Sequence, residues 1–200
     1  SQFSCSATIF GQDLLLSVSC STSISSTIKS SASDVARACE GEQRRLGALR
    51  RAAADGLTAV PIASDGACLF RAVCHSNTGS DVDHQLLRAS AVDYIRAHSS
   101  DFTDFLTGDS DPDKHLPFDA YLAKISRDDQ EVGEFVISAI ANVLRRQISV
   151  YFNDGPPRAY FPSTEDEVQG QTINILFQDS MLMNSGHYLA LVSASSVAHP

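Results

Sequence analysis

The spacing of apolar residues divides the chain into a helical first part and a strand-rich last part. Helical periodicity over residues 33–56, with Ser33 or Asp34 as N-cap and Gly56 after the last turn, predicts an amphipathic helix that packs on or extends the core. Further helices are predicted over Cys68–His75, Asp83–His98, Asp101–Leu106, Phe118–Ile125 and Gly133–Arg146. The inward face of the second of these is predicted to carry Leu86, Leu87, Ser90, Tyr94 and Ile95.

Short β-branched and aromatic runs, separated by turn residues, predict the strands of the domain. These runs are Leu57–Ile62, Gln147–Phe152, Arg158–Phe161, Thr172–Gln178 and His187–Val192. Helices that precede most of the strands are typical of an α+β domain with a mainly antiparallel or mixed sheet packed between helices. We assign residues 57–195 to this domain and residues 196–200 to a tail.

Serine dominates the beginning of the chain, where the first 33 residues contain 12 serines. This composition is typical of a flexible leader that buries too little apolar surface to fold. Alternating apolar residues on both sides of the Gly11-Gln12-Asp13 turn favour a β-hairpin instead. Residues 1–32 are therefore predicted to be either a leader or a hairpin.

Charge and composition exclude several classes of protein. The formal charge of −9 repels nucleic acid phosphates, and no apolar run is long enough for a membrane span. The five cysteines include no CxxC pair, which argues against a zinc module, so we expect neither a metal nor another cofactor. An odd cysteine count, with no recognisable leader and no Asn-x-Ser/Thr acceptor, predicts a cytoplasmic protein.

Cys68 is the best candidate for a nucleophile. It opens a predicted helix just after Gly66, a position where the helix N-terminus lowers a thiol pKa. The backbone amides of residues 67–69 are predicted to be free there, as an oxyanion hole requires. Asp65 can accept amide hydrogen bonds and hold the turn in shape. Cys5, Cys20, Cys39 and Cys74 lack this setting and are interpreted as buried apolar residues.

A reactive cysteine also needs a base, and His187 is the best candidate among six histidines. It opens an apolar strand directly after Gly186, far along the chain from Cys68. The other histidines are predicted to be solvated: His75, His84, His98, His115 and His199.

Motifs around these two residues resemble the ovarian tumour (OTU) family of cysteine proteases, which are deubiquitinases. Residues 65–72, DGACLFRA, are similar to the DGxCLFRA signature of the family. Matching segments follow in order over residues 57–193: Leu87-Arg88 to Tyr94-Ile95, Phe118 to Leu122, Gly133-Glu134 with the helix after it, Ile148–Tyr151 and Gly186-His187-Tyr188. The resemblance implies a papain-like OTU fold.

The same resemblance implies isopeptide hydrolysis through an acyl-enzyme. Cys68 would attack the carbonyl of the C-terminal glycine of ubiquitin, His187 would exchange protons with the thiol and the leaving amine, and Asp65 would position the oxyanion loop. Ubiquitin, polyubiquitin or a ubiquitin-like modifier would be the partner. The tail of ubiquitin carries arginines, so an acidic stretch is expected to bind substrate. This stretch comprises Asp128, Asp129, Glu131 and Glu134.

The sequence departs from the family pattern at two positions. Val132 replaces the usual tryptophan, and Leu189 replaces the polar residue that usually orients the catalytic histidine. The orienting residue is therefore open, with these candidates: Asn174, Asn184, Asp34 and Asp55. The chain can instead work as a Cys-His dyad, or be a catalytically weak or dead ubiquitin-binding module. A cysteine protease or acyltransferase acting on another substrate is the third hypothesis.

Overall fold

The computed structural model describes residues 46–102, 116–153, 155–164, 168–180 and 185–196. The helices are α1 (46–54), α2 (Cys68–Thr78), α3 (His84–Ala97), α4 (Ser99–Phe102), α5 (Phe118–Ile125) and α6 (Phe135–Leu144). The strands are β1 (Leu57–Val60), β2 (Ile148–Tyr151), β3 (Arg158–Tyr160), β4 (Ile173–Ser180) and β5 (Ser185–Ser193), followed by a short 3-10 helix at Ala194–Ser196. No helix in these ranges is both long and apolar enough to span a membrane.

The strands form one mixed five-stranded sheet in the order β1-β5-β4-β2-β3. All neighbouring pairs are antiparallel except β2 and β4, which are parallel. This arrangement confirms the predicted α+β class with a mixed sheet.

Apolar side chains cover both faces of the sheet. The larger cluster joins α2, α3, α5 and α6 to one face and contains Phe70, Ile137 and Ile175. On the other face Ala48 and Ala52 of α1 pack against side chains of β2, β4 and β5. The end of the predicted 33–56 helix therefore packs on the core, and Gly56 follows it with a φ of 74°, as its predicted place after the last turn requires.

The first part of that helix and the Ser-rich segment 1–32 lie outside the described residues. So does the end of the predicted Asp101–Leu106 helix, of which α4 is the described beginning.

Helix α3 buries a face that only partly matches the predicted one. Leu86 is 68% exposed, whereas His84 and Arg88 are buried together with Leu87 and Ile95. Ser90 lies at the edge of the buried face, where its hydroxyl donates to the Leu86 carbonyl. The prediction is correct for Leu87, Ile95 and Tyr94 and wrong for Leu86, because it gave no inward place to the charged Arg88 or to His84. Burial of Arg88 and His84 is possible because backbone carbonyls accept hydrogen bonds from both terminal nitrogens of Arg88 and one lies beside His84 Nδ1, although Arg88 Nε has no hydrogen-bond partner among the described residues.

His84 corrects the expectation that it is solvated. Its ring is buried, and Nδ1 lies 2.8 Å from the Asp81 carbonyl oxygen and 3.3 Å from an Arg71 guanidinium nitrogen. These contacts join the turn before α3 to helix α2.

Candidate active site

Cys68 is the first residue of α2, and its side chain is only 6% exposed. Its sulfur lies against two backbone amides, those of Leu69 and of Tyr188 on β5. Strand β1 pairs with β5 only over Ala190–Ser193, so the sulfur meets β5 at a part of its edge that β1 leaves uncovered. The fold thus brings Cys68 to the residue that follows His187.

His187 is half-buried on β5, directly opposite Gln178 of β4. Within the described residues no hydrogen bond joins its ring to Cys68. The backbone of Tyr188 contacts the Cys68 sulfur and follows His187 directly, so it brings the two candidate residues close together. Proton transfer between them would require a hydrogen bond that the resting structure does not show.

Burial raises the pKa of the Cys68 thiol, which corrects the expectation that the helix start lowers it. The amides of Tyr188 and Leu69 favour the thiolate but do not offset the loss of water, and the negative charges of Glu131 and Asp65 raise the pKa further. The environment of the resting sulfur therefore disfavours the thiolate.

Asp65 holds the turn before α2 with both carboxylate oxygens. Oδ1 accepts a hydrogen bond from the Ala67 amide at 3.0 Å, and Oδ2 pairs with the Arg71 guanidinium at 3.0 Å. The Cys68 amide also donates within the turn, to the Asp65 carbonyl at 3.2 Å. The amides of Ala67 and Cys68 are thus not free, contrary to expectation, because the turn that exposes the sulfur closes on its own hydrogen bonds.

Gly66 is needed at this turn because another loop passes against it. A Cβ atom at this position would lie 2.3 Å from the Asp129 carbonyl carbon and 2.6 Å from the Gln130 nitrogen. These are backbone atoms, so they cannot move aside as a flexible side chain would. The close approach places the 128–131 loop beside Cys68.

The Arg88 side chain of α3 joins the turn at Gly66 to the 128–131 loop by hydrogen bonds. Its guanidinium donates to the Gly66 carbonyl at 2.6 Å, to Ile125 at 2.7 Å and to Gln130 at 3.1 Å. It also lies 4.4 Å from the centre of the Phe70 ring and 3.6 Å from an Asp128 oxygen. Arg88 is 1% exposed, and these contacts replace most of the hydrogen bonds to water that it has lost, with Nε left without a hydrogen-bond partner among the described residues.

The acidic stretch separates into two pairs. Asp128 accepts a hydrogen bond from Gln85 and pairs with Arg88, while Asp129 pairs with Arg127 at 2.7 Å. Glu131 and Glu134 instead line a cavity that contains Cys68.

Glu134 is held at one side of that cavity by Arg158 at 3.1 Å and by the Tyr160 hydroxyl. Glu131 has no ion pair or side-chain hydrogen bond within the described ranges. It is the acid of the stretch that is best placed to meet a cation.

The cavity has a volume of about 210 Å³. Its lining comprises Gly66, Cys68, Leu69, Glu131, Val132, Glu134, Phe152, Phe177, Gly186 and Tyr188. A Cβ atom at Gly186 would lie 2.2 Å from the Phe177 ring, so a glycine is required there. Val132 occupies part of the wall where the family usually has tryptophan.

The structure limits the candidates for a residue that orients His187. Leu189 packs with the apolar cluster beside α1. The Asn174 amide donates to the Thr172 carbonyl at 3.3 Å, and the Asp55 carboxylate accepts from the Tyr151 hydroxyl at 2.7 Å. Asn184 and Asp34 lie outside the described residues.

Sequence reasoning missed the aromatic walls and the buried cation. Phe177 and Tyr188 lie within the predicted strands Thr172–Gln178 and His187–Val192, and nothing in the strand pattern indicated that they line a cavity. The position of Arg88 next to Leu87 on the helical repeat was a signal, because an arginine inside an apolar stripe indicates a buried partner.

Residues 63–188 match the family model described as OTU-like cysteine protease. The chain is 33% identical over 112 residues to the ubiquitin thioesterase otu2 of Schizosaccharomyces pombe, covering 54% of this chain and 37% of that protein. The chain thus spans less than half the length of this curated relative.

Solved structures support the fold. The OTU domain of OTUD1 superposes with a TM-score of 0.58 at 22% identity, covering 78% of this chain and 97% of that chain. An OTU domain in complex with ubiquitin superposes with a TM-score of 0.51 at 24% identity, covering 68% of this chain and 69% of that chain. The described architecture is therefore the OTU fold.

Replacing Arg88 by methionine should lower the free energy of unfolding by about 3 kcal/mol, because buried carbonyls lose their donor. Urea denaturation measures this change. The matched control is Arg96→Met on the exposed face of the same helix, where a surface ion pair with Asp93 contributes at most about 1 kcal/mol. Equal midpoints for the two variants would contradict the tethering role of Arg88.

The Gly66→Ala variant should be destabilised by about 2 kcal/mol, because its methyl group meets backbone that has nowhere to move. Gly47→Ala is the control, since its Cβ would meet nothing closer than a flexible arginine end at 3.4 Å. A helical glycine replaced by alanine should gain about 0.5 to 1 kcal/mol. Thermal unfolding of both variants checks the contrast, and a stable Gly66→Ala protein would refute it.

Replacing Glu131 by glutamine should lower the thiol pKa of Cys68, because it removes a negative charge that opposes the thiolate. The rate of Cys68 alkylation by iodoacetamide at pH 7 should then rise, as read by peptide mass spectrometry. Asp93→Asn, which removes an exposed charge on α3, should leave the rate unchanged. An unchanged or slower rate in Glu131→Gln would show that this charge does not act on the sulfur.

Proposed function

The chain belongs to the OTU-like cysteine protease family, and from this we propose that it is a deubiquitinase that hydrolyses the isopeptide bond after the C-terminal glycine of ubiquitin. The observation that carries the proposal is the position of Cys68. Its sulfur lies at a helix start, inside a cavity, and against the amide that follows His187. This arrangement supports a thiol nucleophile with a histidine base close by.

The proposed reaction begins when His187 takes the thiol proton and the Cys68 sulfur attacks the glycine carbonyl. The carbonyl electron pair moves to oxygen, where the Cys68 amide is one donor to the developing charge. Collapse of this intermediate breaks the carbon–nitrogen bond, and the imidazolium gives its proton to the leaving lysine amine. A water molecule, deprotonated by His187, then attacks the thioester and releases the glycine carboxylate and the free thiol.

Asp65 acts as a positioning residue in this scheme. Its carboxylate fixes the Ala67 amide and the Arg71 side chain, which hold the turn that presents the Cys68 amide. The Cys68 amide donates within the turn at rest, so oxyanion binding requires it to exchange the Asp65 carbonyl for the substrate oxygen.

The raised pKa of Cys68 suits an enzyme that is activated by its substrate. Glu131 raises the thiol pKa and has no cation of its own among the described residues. An arginine of the ubiquitin tail paired with Glu131 would cancel that charge beside the sulfur. We therefore assign tail recognition to Glu131 first and to Glu134 second, and give Asp128 and Asp129 a structural role in their loop.

The shape of the cavity favours a chain end without side chains. Gly66 and Gly186 line the cavity together with the rings of Phe152, Phe177 and Tyr188. A glycine backbone fits such a slot, while a bulky residue would meet the Phe177 ring that already lies against Gly186. This supports a glycine on the acyl side of the cleaved bond.

A catalytically weak or dead ubiquitin-binding module is the second candidate. Leu189 at the orienting position and a buried thiol whose pKa is raised favour it. Such a module would bind ubiquitin with no turnover, and Cys68→Ala would leave its affinity unchanged.

We place either activity in the cytosol. Polyubiquitin or a ubiquitin-like modifier is proposed as a further partner, and nucleic acid is not.

A ubiquitin probe with a C-terminal electrophile should label Cys68 covalently. Cys68→Ala should abolish labelling, and His187→Ala should slow it by at least about 100-fold, since general base catalysis contributes roughly that factor. Intact-protein and peptide mass spectrometry identify the modified residue.

Cys74→Ala is the matched control on the same helix. Burial raises the pKa of the Cys74 thiol to about 11, so this residue should not react, and labelling of its variant should match the wild type. Absence of labelling by ubiquitin and ubiquitin-like probes would refute the proposed function. Labelling that persists in Cys68→Ala would refute the assigned nucleophile.

A further inference from the structure

The arrangement of β4 and β5 assigns a residue that the sequence left open. We propose that Gln178 is the positioning residue that orients the imidazole of His187, in place of the polar side chain that Leu189 lacks. This inference rests on the proposed function of His187 as the base for Cys68.

Strand register puts the two side chains on the same face of the sheet. His187 pairs with Gln178, and the next pair on that face is Leu189 with Leu176. Paired residues on antiparallel strands have Cβ atoms about 4.5 to 5.5 Å apart, within reach of a long side chain. Both leucines belong to the apolar cluster beside α1, and the next pair in the other direction is Ser185 with Ser180. Gln178 is the polar residue directly opposite His187.

The Gln178 amide has an unmet hydrogen bond. Its Nε2 atom is buried and has no partner among the described residues. A buried amide without partners is costly, and such groups in folded proteins commonly serve a site. The unpartnered atom is the donor end of the amide, and a half-turn about the last side-chain bond exchanges it with Oε1. The amide directly opposite His187 can therefore offer its acceptor to the ring.

To orient the ring, Gln178 needs only to accept a hydrogen bond from His187. If Oε1 of Gln178 accepts from Nδ1–H of His187, the ring is held in the tautomer whose Nε2 carries a lone pair. That lone pair is the one that takes the thiol proton. When the ring becomes an imidazolium, the same acceptor stabilises the Nδ1–H bond dipole without changing its own charge.

Two other candidate acceptors are held at other places in the structure. Asn174 lies further along β4, opposite Leu191, and its amide bonds to Thr172. Asp55 bonds to Tyr151. The Gln178 side chain would reach the His187 ring from the neighbouring strand β4. An asparagine or aspartate two residues after the histidine would reach the ring along β5 itself. Both arrangements supply a hydrogen-bond acceptor to the same ring.

The test compares Gln178→Leu with Asn174→Leu, which removes an amide from the same face of the same strand. Steady-state cleavage of a fluorogenic ubiquitin substrate should show kcat lowered about 10- to 100-fold with KM unchanged in Gln178→Leu, the usual effect of losing one hydrogen bond to a charged group. Asn174→Leu should match the wild type. Gln178→Glu should retain activity, because a carboxylate also accepts from Nδ1–H.

Rescue separates positioning from stability. Adding Leu189→Asn to Gln178→Leu should restore most of the lost kcat, because it supplies an acceptor from the strand of His187 itself. A merely structural role of Gln178 predicts no rescue. Full activity in Gln178→Leu, or loss in Asn184→Ala alone, would overturn the assignment.

A ubiquitin-independent measurement distinguishes failure of this inference from failure of the proposed function. Nitrogen-15 NMR of His187 should show the Nδ1–H tautomer in the wild type and a mixture of tautomers in Gln178→Leu. Identical tautomer populations would overturn the role of Gln178 even if ubiquitin is cleaved. A wild type that shows the expected tautomer but does not cleave ubiquitin would overturn the proposed function alone.

Discussion

The guanidinium of Arg88 is the interaction on which the geometry of the site depends. It joins helix α3 to the carbonyl of Gly66 on one side and to the carbonyls of Ile125 and Gln130 on the other. Burial lowers the pKa of this group, and nearby carboxylates, first that of Asp128, oppose the shift. A cation in this place satisfies several backbone acceptors at once, which no apolar residue can do. The nucleophile turn and the acidic loop are thereby fixed to one rigid helix.

This arrangement sets the electrostatics around Cys68. The loop that Arg88 holds brings Glu131 to the sulfur, and the close packing that Gly66 allows removes water from the thiol. Both effects disfavour the thiolate, while the amides of Leu69 and Tyr188 favour it. These effects lower the reactivity of the Cys68 sulfur in the absence of substrate. A cationic chain end bound near Glu131 would favour the thiolate and so raise that reactivity.

Many of the helices and strands could be predicted because each type of element has its own spacing of apolar residues along the sequence. Cys68, Phe118 and Arg158 begin elements where the pattern places them. The inward face of α3 was not predictable in the same way, since the burial of Arg88 depends on carbonyls that come from loops far along the chain. Local sequence carries no information about those partners.

The residues of the candidate site could be predicted from the sequence, but the pKa of the Cys68 thiol could not. Cys68, Asp65 and His187 stand out from their neighbours in sequence, whereas the thiol pKa depends on how deeply the sulfur is buried. The role proposed for Gln178 required the register of β4 against β5, which places it beside His187. A shift of one residue in that register would have turned Phe177 or Asp179 toward the same position.

The most direct test of this account is a crystal structure of the covalent adduct between the chain and a ubiquitin probe. The account predicts the tail in the slot between Gly66 and Gly186, bonded to the Cys68 sulfur, with the His187 ring within about 3.5 Å of that sulfur. An adduct in which the ring stays out of reach of the sulfur, or a tail bound outside the slot, would contradict it.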